Sequence, residues 1–122
     1  MKKIIVILII LLTAATALSA DPIYLGNFPL GKWLDANYNA VWDFTASNIR
    51  ILSPNGKVLY DFSDKTIQDF KVFMEGTNPA ISFTCPEAGR SYKFVKPLIS
   101  DEMSMRINRP NRPEYAVEMR TF

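Results

Sequence analysis

Ile49-Arg50-Ile51-Leu52-Ser53-Pro54-Asn55-Gly56-Lys57-Val58-Leu59-Tyr60-Asp61-Phe62 is the stretch that decides the fold. Two apolar-rich runs flank Ser53-Pro54-Asn55-Gly56, where proline fixes φ and Asn-Gly supplies the positive φ of a tight reversal, so the segment predicts a β-hairpin. The same pattern continues outward on both sides. Ala40-Val41-Trp42-Asp43-Phe44-Thr45 alternates, with Trp42 and Phe44 on one face. Phe70 to Met74 ends at Glu75-Gly76-Thr77-Asn78-Pro79, and Ala80 to Cys85 ends at Pro86-Glu87-Ala88-Gly89. Arg90 to Lys96, Met103 to Ile107 and Tyr115 to Phe122 complete the series. Outside the first twenty residues no window keeps a period of 3.6, and Ser63 to Asp69 offers at most one helical turn. Eight or nine short strands at this spacing predict an all-β domain, a small antiparallel up-and-down barrel, with a β-sandwich as the alternative. The 8 Phe, 5 Tyr and 2 Trp lie mostly on strands, where they fit a pleated, half-buried surface.

Residues 1–20 follow a different grammar. Met1-Lys2-Lys3 is positive, Ile4 to Leu12 is apolar, and Ala17-Leu18-Ser19-Ala20 is small before Asp21-Pro22. That is the order of a secretory signal peptide, with cleavage after Ala20 or Ser19. The expected product is a single extracytoplasmic domain over residues 21–122, periplasmic or secreted, with no membrane-spanning segment once the leader is removed. It is not lipid-anchored, since Asp21 stands where a lipoprotein signal needs a thiol. Loss of Lys2 and Lys3 leaves 12 basic against 12 acidic residues, a balance that gives no support for nucleic-acid binding.

The chain has no histidine, which excludes Ser-His-Asp and Cys-His catalysis and the usual zinc sites. It has no Gly-rich phosphate loop or calcium loop. Asp43, Asp61, Asp64 and Asp69 could in principle serve paired-carboxylate chemistry, but they read as solvated surface charge. No catalytic residue, metal or cofactor is expected. Cys85, the only cysteine, shares the parity of Ile81 and Phe83 and is expected to be a buried core residue. A last strand carrying Arg120 and Glu118 in register with Phe122 does not suit an outer-membrane barrel, whose lipid-facing row is apolar.

Two features bear on function. Arg106-Ile107-Asn108-Arg109-Pro110-Asn111-Arg112-Pro113 repeats arginine every third residue. As polyproline II it would align Arg106, Arg109 and Arg112 on one side, toward an acidic protein or an anionic surface. The inward aromatics are the second feature. If Trp33, Trp42, Tyr60 and Phe94 left space between them they would hold a small apolar ligand, although large residues at nearly every inward position favour a filled interior. The leading expectation is a non-enzymatic binding or interaction module using the Arg/Pro loop. The alternative is a carrier of a small hydrophobic ligand.

Gly31-Lys32-Trp33 opening the first strand of a meander resembles the Gly-x-Trp start of lipocalin-like (calycin) barrels. The rhythm Tyr92-Lys93-Phe94, Met103-Ser104-Met105 and Tyr115 to Met119 is similar to small bacterial domains of that kind. The resemblance implies a closed barrel with a ligand interior and places Arg120, on the last strand, across Trp33.

Overall fold

The computed structural model describes residues 20–122; the signal peptide expected over residues 1–20 lies, but for Ala20, outside the described residues. Nine strands form one antiparallel sheet: β1 (Gly31–Asp35), β2 (Ala40–Thr45), β3 (Asn48–Leu52), β4 (Val58–Asp61), β5 (Gln68–Glu75), β6 (Asn78–Cys85), β7 (Arg90–Val95), β8 (Glu102–Asn108) and β9 (Tyr115–Thr121). Their order is β4-β3-β2-β1-β9-β8-β7-β6-β5, so the meander is joined through β1 and β9 and free at β4 and β5. The sheet curls on itself into a half-barrel, and among the described residues no second sheet faces it.

The deciding hairpin forms as its turn residues require. Ser53 N–H donates to Lys57 O at 2.8 Å, Gly56 N–H to Ser53 O at 2.9 Å, and Gly56 takes φ 92°. The single helical turn also forms, as a 3-10 turn at Phe62–Asp64 capped by the Asp61 carboxylate.

Strand parity explains why the barrel stays open. Eight antiparallel pairings in succession leave β4 and β5 pointing the same way. Pairing them would make a parallel ladder, which needs a crossover of about a dozen residues or more. Only the six residues Phe62 to Ile67 connect them. The seam is filled instead by side chains and by the lead-in segment, residues 21–30, which precedes β1. Asp21 N–H donates to Ile67 O at 2.7 Å, the Asp21 carboxylate accepts from Phe70 N–H at 3.2 Å, and Leu25 N–H donates to Ala46 O at 3.0 Å.

The concave face is packed with rings. Trp42 on β2 meets Tyr92 and Phe94 on β7 at centroid distances of 5.7 and 5.2 Å, and Phe44 meets Phe94 edge-on at 5.1 Å. Phe62 reaches in from the seam to Trp42, Phe83 and Tyr92 at 5.9, 5.3 and 5.4 Å. Cys85 is fully buried as expected, with its Sγ 3.8 Å from the Tyr60 hydroxyl. Asp43 departs from its reading as solvated charge. It is buried because β2 is covered on both faces, and Arg50 neutralises it at 2.8 Å.

Burial pushes the Tyr92 phenol up to about 12 and raises Tyr60 as well, with the Cys85 contact adding to the shift of Tyr60. A raised phenol is neutral in the fold while the unfolded chain ionises near its ordinary value of 10. Its contribution is therefore whole below pH 10 and is lost as pH rises from 10 toward 12. The urea midpoint is expected to hold up to about pH 9 and then fall steeply, and Tyr92→Phe should flatten part of the fall. A midpoint that does not move between pH 9 and 12 would contradict this.

Candidate functional site

One end of the half-barrel carries the β1–β2 turn, the start of β7 and the β8–β9 connection. The β1–β2 turn is tight, with Asn39 at φ 52°, and the Asp35 carboxylate accepts from Asn37 N–H at 3.0 Å. That turn brings Asp35 under the first residue of β9. Tyr115 O–H lies 2.9 Å from each carboxylate oxygen of Asp35 and accepts from Asn37 Nδ2 at 2.9 Å. The Tyr38 ring packs edge-on against Tyr115 at 5.3 Å. Asp35 is only 3% exposed and is held by neutral donors, with no ion pair among the described residues. Burial is the main reason that the Tyr115 phenol is raised, reinforced by its bond to Asp35.

Above this pair opens a cleft of about 420 Å³, with Trp42, Ile51 and Ile107 among its lining and Tyr38 and Tyr115 at its side. Arg90, Arg109 and Arg112 also line it. None of the three forms an ion pair among the described residues. Arg109 uses one Nη to bond Pro113 O at 3.0 Å, while its buried Nε has no partner. Three guanidiniums around one carboxylate leave the cleft positive, and its apolar lining weakens the screening of that charge. Planar guanidinium forks beside aromatic rings suit a carboxylate or phosphate carried on an apolar body. The volume lies in the range of small-molecule sites.

The residues singled out in the sequence are only partly brought together. Trp42, Arg109 and Arg112 share the cleft. Arg106 does not join them, and the polyproline II row is not formed. Arg106 belongs to β8, points to the outer face and bonds Glu114 at 2.8 Å. Arg109 to Arg112 is a turn closed by a 3.4 Å bond, and Asn111 at φ 58° is far from the negative φ of polyproline II. Phe94 is fully buried among rings, Trp33 is buried with its Nε1 unpartnered, and Tyr60 packs on Phe62 at the seam. Arg120 does not cover Trp33. It pairs with Leu34 in register, is 80% exposed and bonds Glu102 at 3.3 Å, whereas Trp33 lies opposite Thr121 with its ring on the concave face.

Sequence reasoning missed Asp35, Tyr38, Arg90 and Tyr115. Asp35 carried a usable signal, because it shares the inward parity of Trp33 and a charge on the buried side of a strand needs partners. Arg90 and Tyr115 carried none, since their places near Asp35 depend on the register across β7, β8, β9 and β1.

Among the described residues no helix is long and apolar enough to cross a membrane, and no three His, Cys, Asp or Glu side chains gather as a metal ion would need. No protein-family model, curated protein or solved structure matches this chain.

Proposed function

We propose that this is an exported, non-enzymatic binding domain that receives a small amphipathic anion in the Arg90–Arg109–Arg112 cleft. The observation that carries the reading is the set of three arginines, none in an ion pair among the described residues, that line an opening with aromatic side chains. The acidic head of the ligand meets the arginines, and its apolar body lies along Tyr38, Tyr115 and Trp42. Export rests on the Met1 to Ala20 pattern. A ligand held deeper, among Trp33, Phe94 and Tyr60, would have to displace packed rings, so the interior-carrier reading is the weaker one.

Sodium decanoate and decanol share a chain and differ in charge, so titrating each against tryptophan fluorescence isolates the head group. Decanoate is expected to bind at least tenfold more tightly than decanol. Arg109→Glu with Arg112→Glu should abolish that preference, because each charge-assisted bond contributes about 1.5–3 kcal/mol. The thermal midpoint should fall only slightly, since the changes break no ion pair and one exposed bond, that from Arg109 to Pro113 O. Equal affinity for the two compounds, or undiminished decanoate binding in the double variant, overturns the reading.

A further inference from the structure

We propose that the free edge of β5 is a homodimer interface, in which two copies pair β5 antiparallel about a two-fold axis at Phe73. The argument starts from hydrogen-bond phase. Glu75 and Asn78 close a two-residue Gly76-Thr77 loop, which makes them a hydrogen-bonded pair. By alternation Phe73 and Lys71 also turn their backbone groups toward β6, and Val72 and Met74 turn theirs away. Pro79, which has no N–H to give, stands opposite Met74 as this phase requires. Among the described residues nothing meets the outward backbone groups of Val72 or Met74. The next outward residue, Phe70, already gives its N–H to Asp21, so the open edge runs from Lys71 to Glu75.

Between Lys71 and Glu75 the protection of that edge is charge alone. The edge has no proline, and the irregularity in its pairing lies before Lys71, not within the open stretch. Val72 and Met74 are 42% and 60% exposed. The other free strand, β4, is only four residues long and ends in Asp61, whose side chain turns back to Ser63 and Asn48.

Three antiparallel registers let the outward residues bond each other, centred on Val72, Phe73 or Met74. The register centred on Val72 calls on Phe70, whose N–H is taken, and sets Lys71 against an aromatic ring. The register centred on Met74 sets Glu75 against Phe73 and runs Lys71 into the turn. Only the register centred on Phe73 uses all the free groups: Val72 and Met74 of one copy exchange both bonds with Met74 and Val72 of the other. It places Lys71 opposite the second copy's Glu75, twice by symmetry, so that this carboxylate, already bonded to Lys93 of its own copy, is shared between two lysines, and it sets the two Phe73 rings side by side on the outer face. The strand is thus complementary to itself in charge and in backbone phase. A five-residue edge buries less than a standard interface, so the dimer should form in the micromolar range.

Sedimentation velocity on the protein as recovered from expressing cells tests this over about 1–500 µM. A shift from monomer to twice the monomer mass is expected. Lys71→Glu should weaken association at least tenfold by setting carboxylates opposite, and the K71E/E75K double variant, folded by circular dichroism although Glu75→Lys gives up the bond to Lys93, should recover most of it. Met74→Pro removes one outward N–H without touching the β6 ladder, so it should remain folded by circular dichroism and stay monomeric. Monomer at every concentration, growth beyond the dimer, dimerisation unaffected by K71E, or failure of the double variant to recover overturns the proposal.

Discussion

Replacing Phe62 with alanine is expected to lower the stability of the domain by about 3–5 kcal/mol, the upper range for truncating a buried aromatic. Phe62 is fully buried at the start of the segment that crosses the seam. Its ring meets Trp42 from β2, Tyr60 from β4, Phe83 from β6 and Tyr92 from β7, at centroid distances between 5.0 and 5.9 Å. Tyr60 also spans the seam, but only through its hydroxyl contact with Cys85. Because β4 and β5 cannot pair, no backbone ladder draws the limbs together if the ring is lost, and the space cannot close cheaply. The seam around Tyr60 and Cys85 should loosen first. Urea denaturation measures the loss, and Phe62→Leu supplies the comparison, with an expected cost of about 1–1.5 kcal/mol. A cost below about 1 kcal/mol for the alanine variant would mean that the seam is held by the lead-in segment alone.

What the sequence reveals and what it hides divide along one physical line. Local features were legible. Ser53-Pro54-Asn55-Gly56 specifies its turn by itself, and the alternation in β2 sets which face Trp42 and Phe44 occupy. Features that depend on register between distant strands were not. Arg120 would oppose Trp33 if β9 were shifted by one residue, but the observed register pairs it with Leu34, and a one-residue slip reverses the face of every side chain. No turn links β1 to β9, so nothing local records that choice. The arginine row failed for a different reason. A three-residue repeat matches polyproline II only while φ stays negative, and Asn111 enters the left-handed region that asparagine tolerates better than most residues. The cleft was half visible. Trp42, Arg109 and Arg112 were singled out separately, as lining and as loop, and the structure places them around one opening. The open seam follows from an odd number of antiparallel strands, and it could be derived only once that number and the β1–β9 junction were known.

Leu25→Ala combined with Phe28→Ala is expected to cost about 5–8 kcal/mol, more than any single change considered above. Each truncation of a buried large residue costs about 2–5 kcal/mol, and the two sites are close enough to couple. Neither residue lies in a strand, and the sequence marks the segment only as a Pro-containing stretch before β1. Yet Leu25 is fully buried, Phe28 nearly so, and the Phe28 ring lies 5.8 Å from that of Phe44. Gly26 at φ 57° and the 2.9 Å bond from Phe28 N–H to Leu25 O fold the segment so that both side chains turn into the core. Leu25 N–H also fixes the segment to the β2–β3 turn. A domain of about 100 residues has roughly 5–15 kcal/mol in total, so the double variant should lack a cooperative thermal transition or melt tens of degrees lower. Asp21→Ala should cost much less, since it removes one exposed carboxylate bond to Phe70 and leaves both buried side chains in place. If Asp21→Ala proves as damaging as the double variant, the anchoring bonds govern the segment and its apolar burial is secondary. If the double variant melts near the wild type, the half-barrel is stable without its lead-in and the structured domain begins at β1. The burial of Leu25 and Phe28 argues instead that the segment before β1 is part of the packed core.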